Sequence, residues 1–474
     1  MRCPPLVELV ETPIPGLLLV RLDVHEDARG WFKENWQRAK LADLGLPDLG
    51  PVQHNVAYNH RRGTLRGIHA EPWDKLISVV TGRVFGAYVD LRAGETFGQV
   101  VTVEADPSIA VLVPRGVGNA YQTLEDGTAY SYLVNDHWSP DATYVAVDAA
   151  DPALAIPWPI PPAESVMSEK DRANPWLSDV DPMPVRRPMI LGADGQVGRA
   201  LVAAFPGAWR VSREEVDLTD SEAVAGLPWR DTDVVLNAAA YTGVDAAETP
   251  EGRRAAWAVN AALPATLARL SIEHGCTLVH YSTDYVFDGT AVGPDGHEED
   301  EPLSPLGVYG QSKAAGDVAI GTAPRHYLLR TSWVVGDGAN FVRTMQRLAA
   351  DGVSPAVVDD QVGRLTFTDE LVHATRHLLD GQAPYGTYNV TNGGAPTSWY
   401  DVARAVFRLA GREESDVTST STAAYSHGKQ LAPRPLDSVL DLAKLRATGF
   451  EPEDAMAALE RYVRGGTAQA DSRP

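Results

Sequence analysis

Hydrophobic and polar residues follow two different patterns in the two parts of the chain. Between residues 17 and 158, short runs such as LLLVRLDV (17–24), KLISVVTGRVFGAYVDLR (75–92) and IAVLVPRG (109–116) are rich in β-branched residues and end at turn residues. Short strands separated by turns are typical of an antiparallel sandwich or a jelly roll. The first part is therefore predicted to be an all-β jelly roll of cupin-like type.

From residue 189 the pattern alternates between buried strands and helices. The apolar runs MILGA (189–193), DVVLNAAA (233–240) and TLVHYSTDYVF (277–287) are separated by helical stretches such as PATLARLSIEHG (264–275). This alternation predicts an α/β Rossmann-type fold with a doubly wound parallel sheet. A small C-terminal substrate subdomain is expected to follow it. The predicted boundaries are a β domain at 1–183, a proline-rich linker at 184–188, an α/β domain at 189–466 and a disordered tail at 467–474.

Charge and cysteine content restrict the possible partners and location. The 474 residues carry a formal net charge of -22, which argues against binding to nucleic acid or to an anionic membrane surface. The two cysteines, Cys3 and Cys276, fall in different parts of the chain and indicate no disulfide framework. Since the N-terminus has no apolar core of a signal peptide, the sequence predicts a cytoplasmic protein.

A glycine motif opens the second part. Gly192, Gly195 and Gly198 form GxxGxxG directly after a strand and at the start of a helix, where free backbone N–H groups bind a pyrophosphate. About 20 residues further on, Asp217 is a candidate for the adenosine end of a dinucleotide and Arg213 for a 2′-phosphate. The motif predicts a nicotinamide cofactor and leaves NADH and NADPH open.

A tyrosine and a lysine four residues apart supply candidate chemistry. Tyr309 and Lys313 lie in VYGQSK (308–313), so on a helix they share one face, and an ammonium there is expected to lower the pKa of the phenol. Thr283, at the end of the strand in STDYVFDG (282–289), is expected to complete a site that polarises a carbonyl for hydride transfer. An isolated YxxxK is more often an exposed surface pair, but the glycine motif favours a catalytic site.

Residues 188 to 466 resemble the dTDP-4-dehydrorhamnose reductase family of extended short-chain dehydrogenases. The resemblance is carried by GADGQVG, LNAAAYTGVDAAE (236–248), STDYVFDG, YGQSK, LRTSWVVG (329–336), DQVGRLT (360–366) and PRPLDSVLDLAKL (433–445). It implies that Tyr309 donates a proton to the ketone, that Thr283 and Lys313 assist, and that Trp333 lies against the sugar nucleotide. This sequence departs from the family pattern at Ala246 and Leu365, where the family usually has Lys and Pro. The implied cofactor contacts are Gly192, Gly195, Gln196, Val197, Gly198, Arg213, Asp217, Leu218, Ala238, Ala239, Ala240, Tyr309 and Lys313.

Histidine is the candidate base of the first part. His69 and Glu71 could ligate a metal, but the facing strand has Asn119 where a histidine would be needed, so no metal site is predicted. An imidazole held by a carboxylate is a suitable general base near neutral pH, and a lysine such as Lys75 can stabilise an enolate. The alternative is a histidine that only fills a structural position.

Residues 6 to 183 resemble the dTDP-4-dehydrorhamnose 3,5-epimerase family. The matching stretches are DARGWFKENW (27–36), VQHNVAYNHRRGTLRGIHAE (52–71), KLISVVTGRVFGAYVDLR, YSYLVNDHWSP (130–140), DPALAIPWP (151–159) and SEKD (168–171). The resemblance implies that His69 is the base, Asp171 orients it, Lys75 stabilises the enolate and Tyr132 returns a proton. It also implies a homodimer formed through this domain. The implied substrate contacts are Arg29, Glu34, Gln53, Asn55, Arg66, Asn119, Trp138 and Lys170.

The two resemblances together imply a bifunctional enzyme. Its first part would epimerise dTDP-4-dehydro-6-deoxy-D-glucose at C3 and C5, and its second would reduce the 4-ketone with NAD(P)H to dTDP-L-rhamnose. Asn119 and HAEP (69–72) replace a histidine and HYQ in the family pattern, so an enzyme of a related deoxysugar that inverts one carbon remains an alternative. A non-catalytic sugar-nucleotide-binding first part, serving a working reductase, is another.

Overall fold

The chain divides into two compact units, Met1–Val185 and Arg186–Pro474. The computed structural model describes residues 7–140, 142–290 and 295–470. The first unit contains the strand-and-turn pattern and the second contains the alternating strands and helices. Cys3 lies outside the described residues, and Cys276 is a free, buried thiol.

The first unit is built almost entirely from strands. Its strands and helices are β1 (Glu8–Glu11), β2 (Leu18–Arg21), β3 (Val24–Asp27), β4 (Gly30–Lys33), α1 (Arg38–Asp43), β5 (Gln53–Asn59), β6 (Leu65–Ala70), β7 (Lys75–Thr81), β8 (Val84–Asp90), β9 (Val100–Ala105), β10 (Ile109–Val113), β11 (Val117–Thr123), β12 (Thr128–Val134), β13 (Val145–Ala146) and α2 (Glu169–Arg172). Two antiparallel sheets have the orders β1-β2-β10-β7-β12-β5 and β13-β6-β11-β8-β9, and β3 pairs with β4 in a separate hairpin.

The central strand β7 shows why the first unit needs long apolar runs. Ile77 and Val79 face the core between the sheets, whereas Leu76 points to the other face. There it packs with Leu41 of α1 and with Leu46 in the following loop. Because both faces of β7 are covered from Lys75 to Val79, apolar residues occur on both faces there instead of alternating with exposed polar ones. The predicted β-sandwich fold is confirmed.

The second unit alternates strands and helices. Its elements are β14 (Arg187–Leu191), α3 (Gln196–Ala204), β15 (Trp209–Val211), α4 (Ser221–Ala225), β16 (Thr232–Asn237), α5 (Pro250–Trp257), α6 (Leu263–His274), β17 (Thr277–Thr283), α7 (Val308–Ile320), β18 (His326–Thr331), β19 (Val334–Val335), α8 (Phe341–Ala350), β20 (Ala356–Val358), β21 (Val362–Gly363), β22 (Thr366–Phe367), α9 (Thr368–Asp380), β23 (Gly386–Asn389), β24 (Thr397–Ser398), α10 (Trp399–Leu409), β25 (Thr418–Thr420), α11 (Thr422–Ser426), α12 (Ala443–Ala447) and α13 (Ala455–Ala470). Six strands form a parallel sheet in the order β15-β14-β16-β17-β18-β23.

This sheet order places a crevice at the carboxyl ends of the strands. The chain leaves β14 toward β15 on one side and returns to β16 on the other, so the connections diverge above the carboxyl ends of β14 and β16. Ligands of open parallel sheets bind at such a switch point. Helices cover both faces of the sheet, and all seven residues of β17 are buried. The predicted doubly wound fold is confirmed.

A smaller subdomain follows the sheet. Helices α8, α10 and α13 share a core that includes Val342, Met345, Val406, Phe407 and Leu459. Three two-stranded pairs, β19 with β22, β20 with β25 and β21 with β24, complete this region. Its position near the C-terminus agrees with the small substrate subdomain that the sequence predicts.

The ends of the elements differ in detail from the predicted boundaries. Strand β14 begins at Arg187, inside the predicted linker, because Arg187 pairs with Thr232 of β16. Helix α13 continues to Ala470, so the first part of the predicted tail is helical, and residues 471–474 lie outside the described residues. Within the described chain, no helix is long and apolar enough to cross a membrane.

Candidate active sites

A cavity of about 270 Å³ lies between the two sheets of the first unit. Strands β6 and β11 of one sheet and strands β5, β7 and β12 of the other contribute to its wall, and α2 closes one side. The lining residues are Ala57, Arg66, Gly67, His69, Glu71, Lys75, Ile77, Asn119, Tyr121, Tyr130, Tyr132 and Asp171. Six residues predicted from the sequence to form the site, namely Arg66, His69, Lys75, Asn119, Tyr132 and Asp171, therefore meet in one cavity.

His69 and Asp171 form the pair that the sequence could suggest only by resemblance. The His69 Nε2 atom lies 2.8 Å from Asp171 Oδ1. The carboxylate is buried, and the backbone N–H of Asp171 donates to the Ser168 hydroxyl at the start of α2. With Nε2 directed at the carboxylate, the other imidazole nitrogen, Nδ1, is free to accept a proton. The His69 side chain is 40% exposed, so a substrate can reach it.

Lys75 is a buried ammonium that joins two polar neighbours. Its Nζ donates to Asn119 Oδ1 at 2.6 Å and forms an ion pair with Glu71. Because the amide oxygen of Asn119 accepts from the ammonium, its –NH₂ group remains available as a hydrogen-bond donor. Asn119 lies directly opposite His69 in the β6–β11 pairing. The cavity thus presents one charged and one neutral donor near the base.

Tyr132 places a phenol in the same cavity. The Lys75 Nζ atom lies 5.9 Å from the centre of the Tyr132 ring. Burial raises the pKa of the Tyr132 phenol, and the negative charge of Glu71 raises it further. The phenol is therefore protonated at neutral pH and can donate its proton.

Gly67 allows the two strands under the base to approach closely. Its φ angle is +103°, and a Cβ atom there would lie 2.5 Å from the Asn119 carbonyl oxygen. An alanine would therefore both strain the backbone and push β6 away from β11. The close approach of β6 and β11 beside His69 and Asn119 therefore requires a glycine at position 67.

The other predicted substrate contacts do not line this cavity. Arg29 lies in the turn of the β3–β4 hairpin and pairs with Asp27, and Glu34 pairs with Lys40. The Gln53 amide donates to Asn55 Oδ1 on the edge strand β5. The Trp138 and Lys170 side chains are exposed. Among the described residues, no three His, Cys, Asp or Glu side chains are arranged to hold a metal ion.

The glycine turn of the second unit forms a close-packed cradle. Gly192 has a φ of +73°, and a Cβ atom on Gly198 would lie 2.0 Å from the Gly192 carbonyl oxygen. The absence of both side chains lets α3 begin directly above β14. Gly195 caps α3 without a side-chain hydrogen bond, so the first N–H groups of the helix point into the crevice. This geometry fits the pyrophosphate of a dinucleotide.

The remaining predicted cofactor contacts outside α7 lie at the start of α3 and after β15 and β16. Ala238, Ala239 and Ala240 follow β16, and the Ala238 N–H donates to the Leu191 carbonyl at the end of β14. Arg213 and Asp217 are exposed after β15. Three others make internal contacts: Gln196 binds the Gly336 N–H and the Ala339 carbonyl, Val197 packs on the sheet, and Leu218 packs against the opposite core. Asp217 accepts from the Thr219 N–H and hydroxyl, which lowers its pKa.

Tyr309 meets Thr283 at the end of β17. Thr283 lies near the Tyr309 phenol, and its own hydroxyl donates to Asp284 Oδ1 at 2.9 Å. The Tyr285 ring packs edge-on against Tyr309, with the ring centres 5.8 Å apart. Burial raises the pKa of Tyr309 to about 12. The phenol therefore stays protonated at neutral pH, as a proton donor requires.

Lys313 makes different contacts from those expected. The spacing of Tyr309 and Lys313 predicts an ammonium that lowers the phenol pKa, but the Lys313 Nζ donates to the Tyr281 carbonyl at 2.6 Å and lies 3.2 Å from His280 Nε2. Burial, rather than the ammonium, dominates the phenol pKa. Burial also lowers the pKa of Lys313 to about 8.

His280 is a residue of this site that the sequence analysis missed. It is fully buried in β17, and its Nδ1 lies 2.8 Å from the Asn237 amide nitrogen. The Asn237 oxygen accepts the Ala239 N–H, so the two residues link the Lys313 ammonium to the turn after β16. Nothing in the sequence indicated it, because a histidine inside an apolar strand is usually structural.

A second cavity, of about 540 Å³, lies within the second unit. Tyr285 and Asp245 border it on the side of the sheet. Phe341 of α8 and Trp399 of α10 border it on the side of the subdomain, and Arg434 lies in the segment before α12. Arg434 pairs with Asp245 at 2.9 Å.

Trp333 does not line this second cavity but lies behind one of its walls. Its ring stacks on Trp399, with the ring centres 3.8 Å apart. Of the two stacked rings, Trp399 is the one that borders the cavity, and the sugar-nucleotide contact of Trp333 stays a prediction.

Comparison with known families separates the chain at the same place. Residues 11–179 match the family described as dTDP-4-dehydrorhamnose 3,5-epimerase. Residues 186–467 match the family described as RmlD substrate binding domain. The two matches fall within the two compact units.

Individual relatives resemble one unit each. The protein RmlC homolog of Streptococcus pyogenes is 50% identical over 177 residues, which cover 36% of this chain and 89% of that protein. A dTDP-4-dehydrorhamnose reductase of Mycolicibacterium smegmatis is 38% identical over 289 residues, which cover 58% of this chain and 86% of that protein. The solved structure of the dTDP-4-dehydrorhamnose reductase of Bacillus anthracis in complex with NADP is 32% identical, with a TM-score of 0.54, and the match covers 59% of this chain and 98% of that one.

The glycine cradle generates a direct test. Gly198→Ala places a methyl group against the Gly192 carbonyl, so α3 must move and the affinity for NADPH is expected to fall on the order of tenfold or more. Gly207→Ala is the matched control, because a Cβ atom there meets nothing within 4 Å. Fluorescence titration with NADPH measures both. Equal affinities in the two variants would contradict the assigned cradle.

Proposed function

The first unit belongs to the dTDP-4-dehydrorhamnose 3,5-epimerase family and the second to the dTDP-4-dehydrorhamnose reductase family, and we propose that one chain catalyses both consecutive steps. The first step inverts C3 and C5 of dTDP-4-dehydro-6-deoxy-D-glucose. The second reduces the C4 ketone with NAD(P)H and yields dTDP-L-rhamnose. The observation that carries the proposal is that one cavity of the first unit brings together His69, Lys75, Asn119, Tyr132 and Asp171. In the second unit, a protonated Tyr309 lies beside Tyr285, which borders the larger cavity.

Epimerisation needs a base on one side of the sugar and an acid on the other. The hydrogens on C3 and C5 are acidic because each carbon is next to the C4 ketone. In this proposal His69 takes the proton, and the electron pair of the broken C–H bond forms an enolate whose negative charge lies on the C4 oxygen. Tyr132 then returns a proton to the carbon from the opposite face, which inverts its configuration.

The donors beside His69 suit the enolate. The Lys75 ammonium and the Asn119 –NH₂ group are oriented by their contact with each other. Both are expected to donate to the C4 oxygen as its charge develops. Asp171 holds the imidazole and stabilises its positive charge after the proton is taken. This arrangement argues against a first unit that only binds the sugar nucleotide, since binding alone requires neither a base nor an acid.

Reduction of the C4 ketone needs a hydride and a proton, and the second unit must supply the proton. The glycine cradle and the uncapped start of α3 fit NAD(P)H, which supplies a hydride to C4 when it is bound. Tyr309 donates its phenolic proton to the C4 oxygen, and the pKa of about 12 keeps that proton in place until then. Thr283 supports the Tyr309 hydroxyl, and Lys313 contributes a positive charge on the same face of α7.

The larger cavity of the second unit is the proposed site for the nucleotide part of the substrate. Tyr285 borders this cavity and also packs against Tyr309, so a ligand bound there lies next to the proton donor. Trp399 offers an aromatic surface to a base, and Arg434 offers a cation to the phosphates.

We also propose that the first unit forms a homodimer. Strand β5 is an edge of its sheet, and it carries the exposed apolar side chains Val56 (62% exposed) and Tyr58 (55%). An apolar edge strand is a surface that native proteins usually cover. A second copy of the same chain satisfies this requirement by symmetric pairing.

Two variants separate the two activities. His69→Ala is expected to slow deuterium uptake at C3 and C5 in D₂O by about 10² to 10⁴ and to leave NADPH-dependent reduction of the epimerised ketosugar intact. Tyr309→Phe is expected to do the reverse. NMR and NADPH absorbance measure the two reactions on the same samples.

Matched substitutions control for general damage. His373→Ala is on the exposed surface of α9, and Tyr385→Phe changes a partly exposed phenol away from the cavity. Both should retain both reactions. Unchanged deuterium uptake in His69→Ala would remove the assigned base, and an unchanged reduction rate in Tyr309→Phe would remove the assigned proton donor.

The dimer is tested by mass in solution. Light scattering should give twice the chain mass of 51.0 kDa for the unaltered protein. Val56→Lys should shift it toward the monomer, because it puts a charge on the apolar edge. Val353→Lys, at an exposed position of the second unit, is the control. A monomeric unaltered protein would rule out the proposed assembly.

A further inference from the structure

Lys75 lies in surroundings that disfavour its charge. Only 4% of the residue is exposed, and the side chains of Ile77, Tyr121 and Tyr130 are part of the same cavity wall. An ammonium taken out of water loses its hydration, so burial lowers the pKa of Lys75 below its usual value. Without compensation, such a lysine would tend to become neutral and could not stabilise an enolate.

Glu71 is the carboxylate in direct contact with this ammonium. It follows β6, four residues before Lys75, and its side chain also faces the cavity. The other titratable groups of the cavity are arranged differently. Asp171 on α2 is engaged by His69, and Arg66 on β6 donates to Asn59. Asp74, the next carboxylate along the chain, does not line the cavity and accepts from the Arg115 N–H and the Asn135 amide.

The loop that carries Glu71 is fixed at both ends. The Glu71 carbonyl accepts from the Gly116 N–H at 3.1 Å, and the Asp74 N–H donates to the Asn135 side chain at 2.9 Å. Trp73 is buried between them. The carboxylate is therefore held beside Lys75 before any substrate enters, so pairing costs little further ordering.

We propose that Glu71 is a positioning residue of the first site, the counter-ion that keeps the Lys75 ammonium charged and directed at Asn119. Glu71 pairs with Lys75, which in turn donates to Asn119, so in this proposal it acts through these donors rather than on the reacting carbon. This inference rests on the proposed epimerase function for its chemical purpose, but the ion pair can be tested without the reaction.

The same carboxylate affects the acid as well as the ammonium. Its charge raises the pKa of Lys75 against the effect of burial, and it adds to the effect of burial in raising the pKa of Tyr132. Removing the charge should lower both values. Without the Glu71 charge, both Lys75 and Tyr132 would lose their protons at a lower pH than in the unaltered protein. Both changes would therefore move the loss of activity to lower pH.

The direct experiment measures the ionisation of Lys75. Protein with ¹³Cε-labelled lysine is titrated by NMR, and the Lys75 signal is assigned by its loss in Lys75→Arg. Glu71→Gln keeps the size of the side chain and should lower the Lys75 pKa by about 1 to 2 units. Glu71→Asp keeps the charge and should recover part of this shift. Glu125→Gln removes an exposed carboxylate paired with Arg83 and should change nothing at Lys75.

The pH dependence of deuterium uptake connects the ion pair to the reaction. In Glu71→Gln the alkaline limb of the uptake rate should move to lower pH, whereas a purely structural role would reduce the rate equally at every pH. An unchanged Lys75 pKa in Glu71→Gln would overturn the inference. If Glu71→Gln shifts the Lys75 pKa but the unaltered protein takes up no deuterium, the counter-ion role of Glu71 stands and the proposed epimerisation is rejected.

Discussion

The contact between His69 Nε2 and Asp171 Oδ1 determines what the first unit can do, because it fixes which imidazole nitrogen faces the cavity. The two residues are 102 positions apart, and they meet only because α2 packs against β6 at the end of the domain. The close approach of β6 and β11 at Gly67 then places Asn119 opposite the base. The proposed base, two donors and acid are thereby collected between the two sheets.

Burial sets the protonation states in both units, with opposite effects on acids and cations. It raises the pKa values of Tyr132 and Tyr309, so both phenols retain the protons they are proposed to donate. It lowers the pKa values of Lys75 and Lys313. The first lysine has Glu71 in direct contact, whereas the second donates to the Tyr281 carbonyl and has the charge of Asp317 to raise its pKa against burial. The two units thus use the same physical effect with different compensation.

The sequence predicted both fold classes because strand-and-turn spacing and strand–helix alternation are local patterns. It also predicted the glycine cradle, since a close turn after β14 requires Gly192 and Gly198. It could not place Asp171 beside His69, because no local pattern reports a contact across 102 residues. The Tyr309–Lys313 spacing correctly predicted one helix face but not the direction of the ammonium, which depends on His280 in another element.

The most direct measurement of the central claim is an NMR time course of dTDP-4-dehydro-6-deoxyglucose in D₂O with the unaltered protein, first without and then with NADPH. The account predicts deuterium at both C3 and C5, followed by conversion to dTDP-L-rhamnose when NADPH is added. Deuterium at one carbon would indicate a related deoxysugar enzyme. No deuterium at either carbon, with reduction of the epimerised ketosugar still present, would contradict the two-step account and leave the first unit as a binding module.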